Sequence, residues 1–74
     1  MKTDNPLLTT WVGERIRHYR KLKGLSQEEL AEAADLHRTY IGSCERGERN
    51  ITIINLAVIC EKLDVSLYDF FKDV

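Results

Sequence analysis

Three closely set side chains, Arg38, Thr39 and Ser43, carry donors and acceptors suited to reading the edges of base pairs. An arginine fork meets guanine O6 and N7 through two hydrogen bonds, worth ~1–3 kcal/mol of discrimination against other bases. A threonine meets either base or a thymine methyl. Their spacings of one and four put the three on one outward helix face, while Ile41 and Cys44 turn the other way into a core. Nothing else along the chain assembles comparable chemistry. No nucleophile, base and oxyanion donors come together, so an enzyme is not expected. Cys44 and Cys60 lack CxxC or histidine spacing, supply no zinc set, and are expected as a reduced, packed pair in a cytoplasmic protein. His18 and His37 have no partner acid or cysteine and fit surface positions, with His37 placed to graze a phosphate. No cofactor and no metal are expected.

Those side chains must be positioned by helices. The chain has 74 residues, 43% hydrophobic and 31% charged, with 11 Lys plus Arg against 12 Asp plus Glu. That is the profile of one soluble globular domain. At this size only ~60% of the unfolded surface is buried, so the fold gains from a partner subunit, and a large closed catalytic pocket is excluded. The longest apolar run, residues 56–60, is far short of the roughly 20 needed to cross a bilayer. Residues 1–5 are polar with no apolar region behind them, which gives no sign of secretion. Pro6 is the sole proline, and no β-branched alternation follows it, so the chain reads as all-α.

Residues 1–7 are expected to form a flexible arm. A first helix is predicted over residues 10–23, with Val12, Ile16, Tyr19 and Leu22 inward and Gly24 as a left-handed cap. Ser26 to Glu29 is a capping box opening a short second helix that buries Leu30, Ala31 and Ala34. The third helix is expected over residues 37–46, with Leu36, Tyr40 or Ile41, and Cys44 inward, closed by Gly47. Thr52 caps a fourth over residues 53–62, whose inward stripe is Ile53, Leu56, Ile59, Cys60 and Leu63. Ser66 caps a last turn and a half over residues 67–71. Two short helices joined by a tight turn, in a small helical domain, invite a helix-turn-helix reading.

The run LSQEELAEAADLHRTYIGSCERGERN, residues 25–50, resembles the phage-repressor-like (Xre) helix-turn-helix family, and the match continues to about Phe71. RTYI, then ERGERN, then a helix beginning TI most resembles the controller proteins of restriction–modification systems. The resemblance implies a compact five-helix λ-repressor-like domain, with the helix-turn-helix formed by helices 2 and 3. It implies base contacts from Arg38, Thr39 and Ser43. Backbone contacts would come from Gln27, at a helix N-terminus that favours phosphate, and from Tyr40, Arg46, Arg49 and Asn50. It also implies an ion pair between Arg20 and Glu45, tying helix 1 to the end of helix 3. Three departures stand out. Asp35 and Asp64 occupy joints where the family has glycine, and aspartate tolerates the left-handed conformation better than most residues. Gly42 lies inside the recognition helix, where it costs ~1 kcal/mol relative to alanine.

The net charge of −1 is unusual for a DNA-binding domain, but the charges are segregated. Residues 12–23 carry five basic side chains against Glu14, while residues 26–35 carry four acids, so a basic strip from helices 1 and 3 is expected. Ile54 and Val58 fall on a separate face of helix 4 and, with Leu67, Tyr68 and Phe70 or Phe71, form a candidate dimer interface. A homodimer supplies a second recognition helix for half-sites ~34 Å apart on a palindromic operator. By resemblance, such a regulator binds double-stranded DNA at its own promoter, activating at low occupancy and repressing when a second dimer joins. RNA polymerase is then a candidate partner, and a membrane is not. The rival readings are a phage-type repressor or antitoxin-like regulator with other targets, and an interaction module that has lost DNA binding. The second would be marked by loss of Arg38, Arg46 and Arg49, all present here.

Overall fold

Three helices begin where the sequence supplies a side-chain cap, at Ser26, Thr52 and Ser66. The computed structural model describes residues 6–74, which form α1 (Pro6–Leu22), α2 (Gln27–Ala34), α3 (Arg38–Glu45), α4 (Ile53–Lys62) and α5 (Leu67–Phe71). No strand occurs among the described residues. Ser26 accepts from the Glu29 amide while the Glu29 carboxylate accepts from the Ser26 amide, completing the capping box of α2. Thr52 and Ser66 accept from the amides of Asn55 and Asp69 in the same way.

Helices α1 to α4 share one ending. A left-handed residue follows each: Gly24, Asp35, Gly47 and Asp64, with φ of 76, 55, 76 and 58°. In each, the next amide reaches back five residues, as from Leu25 to the Arg20 carbonyl and from Val65 to that of Cys60. These are Schellman closures, which satisfy carbonyls that a helix end otherwise orphans. Leu25, Leu36 and Val65, just past three of the endings, pack onto the core.

α1 starts earlier than the sequence predicts. Pro6 and Leu7 of the expected arm belong to it, because a first-turn proline gives up no intrahelical hydrogen bond; residues 1–5 of that arm lie outside the described residues. The core forms where all five helices meet, around Ile16, Leu30, Ile41, Ile59 and Phe70, none of which is exposed. Two inward assignments fail. Leu22 is 71% exposed in the last turn of α1, where Arg20 turns inward instead, and Ile53 is exposed at the first position of α4, ahead of the core. Both cysteines are buried, as expected from their spacing.

Gly13 sets how closely α1 approaches α3. A Cβ built there would lie 2.3 Å from the Cys44 carbonyl oxygen and 2.6 Å from that of Glu45. Backbone cannot yield as a flexible side chain does, so the crossing requires glycine. Two residues further along α1, Arg15 clasps α5. Its Nε donates to the Phe70 carbonyl at 3.1 Å and its Nη2 to the Asp69 carbonyl at 3.1 Å, while the guanidinium lies over Trp11 and Tyr19. A helix of five residues cannot persist alone. Arg15 satisfies its terminal carbonyls, and Trp11 stacks on Phe71 with ring centroids 6.0 Å apart. No helix among the described residues is long and apolar enough to cross a membrane.

Candidate nucleic-acid interface

Four segments are joined through one ion pair. Arg20 Nε donates to Glu45 Oε2 at 2.6 Å and Arg20 Nη2 to Glu45 Oε1 at 2.9 Å, a side-on, two-point pair between α1 and α3. Arg20 Nη1 donates to the Leu25 carbonyl in the α1–α2 turn, and Gln27 Nε2 of α2 donates to Glu45 Oε1 at 3.0 Å. Hydrogen bonding to Glu45 raises the Arg20 pKa above its ordinary value, against the lowering effect of burial. The pair proposed from resemblance is therefore present, and it fixes α3 against both preceding helices. Gln27 lies half-buried behind this pair, with its amide nitrogen engaged by Glu45.

The outer surface of α3 carries fewer of the expected side chains than their spacing suggests. Arg38 and Thr39 are exposed on its first turn. Ser43 is not: it is 8% exposed, and its hydroxyl donates to the Tyr40 carbonyl at 2.9 Å. Residues Ile41 to Glu45 are all buried, because the second half of α3 is covered by α1 as well as by the core. Base contact by Ser43 is accordingly withdrawn. Gly42 shares this burial, and its close neighbours are Arg46 Nη1 and Gln27 Oε1, at 3.2 and 3.4 Å from a built Cβ.

Beyond α3, Arg46 is exposed and donates to Glu48 Oε2 at 3.0 Å, which raises its pKa. Arg49 lies with its guanidinium 5.3 Å from the Tyr40 ring centre. The Tyr40 hydroxyl accepts from Asn55 Nδ2 at 3.0 Å, so this ring joins α3 to α4. Burial pushes the Tyr40 phenol up, outweighing the opposing effect of the Asn55 bond, and keeps it neutral in the physiological range. Thr39, Tyr40, Arg49 and Asn55 line one shallow depression beside the recognition helix. Asn50 falls elsewhere, on a groove shared with Leu8, Ile51, Ile53 and Phe71. Asn55 is a residue that sequence reasoning missed; its place three residues after Thr52 marks it as a first-turn position, but nothing local links it to Tyr40.

The basic strip is thinner than expected. Arg15 is spent on α5, Arg20 on Glu45, and Lys23 is paired with Asp64, leaving Arg17 and Lys21 exposed on α1. On α4 and α5, Ile54 and Tyr68 are exposed at 72% and 79%, with Val58 and Leu67 half-buried. Phe70 does not belong to that surface. It is fully buried, edge-on to Trp11 and Phe71, so its role is core packing.

A short α2, a tight left-handed turn at Asp35 and an anchored α3 with arginine on its leading turn define a helix-turn-helix DNA-binding domain. The helix-turn-helix family model matches residues 16–70, and the chain belongs to that family. It is 50% identical over 56 residues to control protein C.SmaI of Serratia marcescens, covering 76% of this chain and 67% of that one. The crystal structure of the restriction–modification controller protein C.AhdI from Aeromonas hydrophila superposes with a TM-score of 0.82 at 40% identity, covering 85% of this chain and 96% of that one. The controller protein C.Esp1396I, solved as a tetramer on its natural 35 base-pair operator, matches with a TM-score of 0.81 at 43% identity, over 88% of this chain and 86% of that one.

Proposed function

We propose that this protein is a transcriptional regulator that binds a palindromic operator in double-stranded DNA as a homodimer and controls restriction–modification genes. The observation that carries the reading is the exposed leading turn of α3, with Arg38 and Thr39, on a helix locked in place by the Arg20–Glu45 pair. Likeness to controller proteins across most of the chain supports the choice of target genes.

In this reading Arg38 meets guanine and Thr39 a neighbouring base edge, while Arg46, Arg49, Tyr40, Gln27 and Asn50 set the register on the backbone. One protomer offers one eight-residue recognition helix, roughly 12 Å long, so half-sites ~34 Å apart call for a second copy. The surface of Ile54, Val58, Leu67 and Tyr68 supplies the contact between copies. A second dimer on an adjacent site turns activation, through contact with RNA polymerase, into repression. Concentration alone drives that sequence, and no cofactor takes part.

Selection of bound duplexes from a randomised pool tests the reading. Enrichment of a two-fold symmetric sequence is expected, and a pool that emerges unenriched at low ionic strength would overturn it.

A further inference from the structure

Arg38 is tethered from the neighbouring helix. Its Nη1 donates to Glu28 Oε2 at 3.2 Å, across the turn that joins α2 to α3. The contact uses one corner of the guanidinium. The opposite edge, Nε together with Nη2, has no partner among the described residues. Arg20 shows in the same molecule what that edge does, since its Nε and Nη2 hold two oxygens of Glu45 side by side. Guanine presents a comparable pair of acceptors, O6 and N7, in the major groove. Tether and readout therefore draw on different donors and can be made together.

The other acids of α2 are placed differently. Glu29 is committed to the capping box, and Glu32 has no side-chain ion pair among the described residues. Glu28 and Arg38 have side chains 69% and 67% exposed, so their attraction is weak and its effect on binding is modest. A carboxylate at this position also opposes the approach of phosphate. It discounts the sequence-independent part of Arg38's attraction for DNA, which arises from charge, and leaves the hydrogen-bonding part intact.

We infer that Glu28 is a positioning residue for base reading: it holds Arg38 by Nη1, frees the Nε–Nη2 edge for guanine, and raises discrimination by weakening the competing hold on phosphate. This rests on α3 being the recognition helix.

The experiment measures binding of the full chain to the duplex that the wild type selects from a random pool and to a scrambled duplex of the same composition. In Glu28→Ala, the ratio of the two affinities is expected to fall roughly two- to fivefold, the range set by an exposed ion pair. Glu28→Gln, which keeps an acceptor oxygen, is expected to lose less. Glu32→Ala removes the same charge one turn away, raises both affinities by a common factor and leaves the ratio unchanged. In an Arg38→Ala background, Glu28→Ala no longer moves the ratio. A ratio that survives Glu28→Ala, or that falls equally without Arg38, overturns the role of Glu28 while the recognition helix stands. A wild type with no preference for any duplex overturns both.

Discussion

The guanidinium of Arg20 and the carboxylate of Glu45 form the joint on which the recognition helix is mounted, with side chains only 10% and 3% exposed. Pairing two charges in the interior adds little net stability, but removing one partner strands the other without compensation. Arg20→Ala is expected to lower the free energy of unfolding by about 3 kcal/mol, measured by urea denaturation. Replacing both partners by apolar residues should recover part of that loss; a double variant no more stable than Arg20→Ala would contradict this account.

Two glycines make opposite forecasts. Gly13→Ala drives a methyl into the α3 backbone and is expected to cost about 3 kcal/mol or prevent folding, seen as a fall in thermal midpoint. Gly42→Ala meets only the ends of Arg46 and Gln27, which can move, and gains up to ~1 kcal/mol of helix propensity. Its midpoint should hold or rise.

Arg38 and Arg46 are both exposed, yet they should fail differently. Arg38→Ala is expected to relax base preference, weakening the selected duplex by ~1–3 kcal/mol and a scrambled duplex far less. Arg46→Ala should weaken both alike and reduce the salt slope by about one unit. Fluorescence anisotropy across a salt series separates the two.

The apolar surface of α4 and α5 divides at Phe70. Ile54→Glu charges a side chain already in water, so it should dissociate the dimer in sedimentation while sparing the fold of the monomer. Phe70→Ala instead opens the core and is expected to cost about 3–5 kcal/mol. Unchanged association of Ile54→Glu would remove this surface from the dimer.

Burial pushes the Cys60 thiol up to about 11 from its ordinary 9.0, and that of Cys44 up as well. The folded chain thus holds the Cys60 proton more tightly than the unfolded chain. Its contribution to stability is complete below pH 9.0 and is lost as pH rises through about 11. Denaturation midpoints across that window should fall less steeply in Cys60→Ala, and native thiols should react with a disulfide reagent far more slowly than unfolded ones.

Local chemistry was legible in the sequence, and distant partnership was not. The capping box at Ser26 follows from residue type and near neighbours, the left-handed aspartates at Asp35 and Asp64 from the family resemblance, and all appear as expected. Ser43 shows where periodicity stops. It gives direction around a helix axis but says nothing of what lies across from it, and the second half of α3 is buried throughout, with the Ser43 hydroxyl turned onto the Tyr40 carbonyl. Trp11, Arg15 and Tyr19 recur every four residues, a stripe visible in the sequence. Its purpose depends on carbonyls of Asp69 and Phe70 at the far end of the chain. The tethering of Arg38 by Glu28 likewise spans a turn whose geometry no spacing rule supplies.

Arg15 makes the stability of the chain's final turn a property of its first helix. A lesion that unseats Arg15 is therefore felt at Leu67 and Tyr68, on the face proposed for a second subunit, even though both lie more than fifty residues away along the chain.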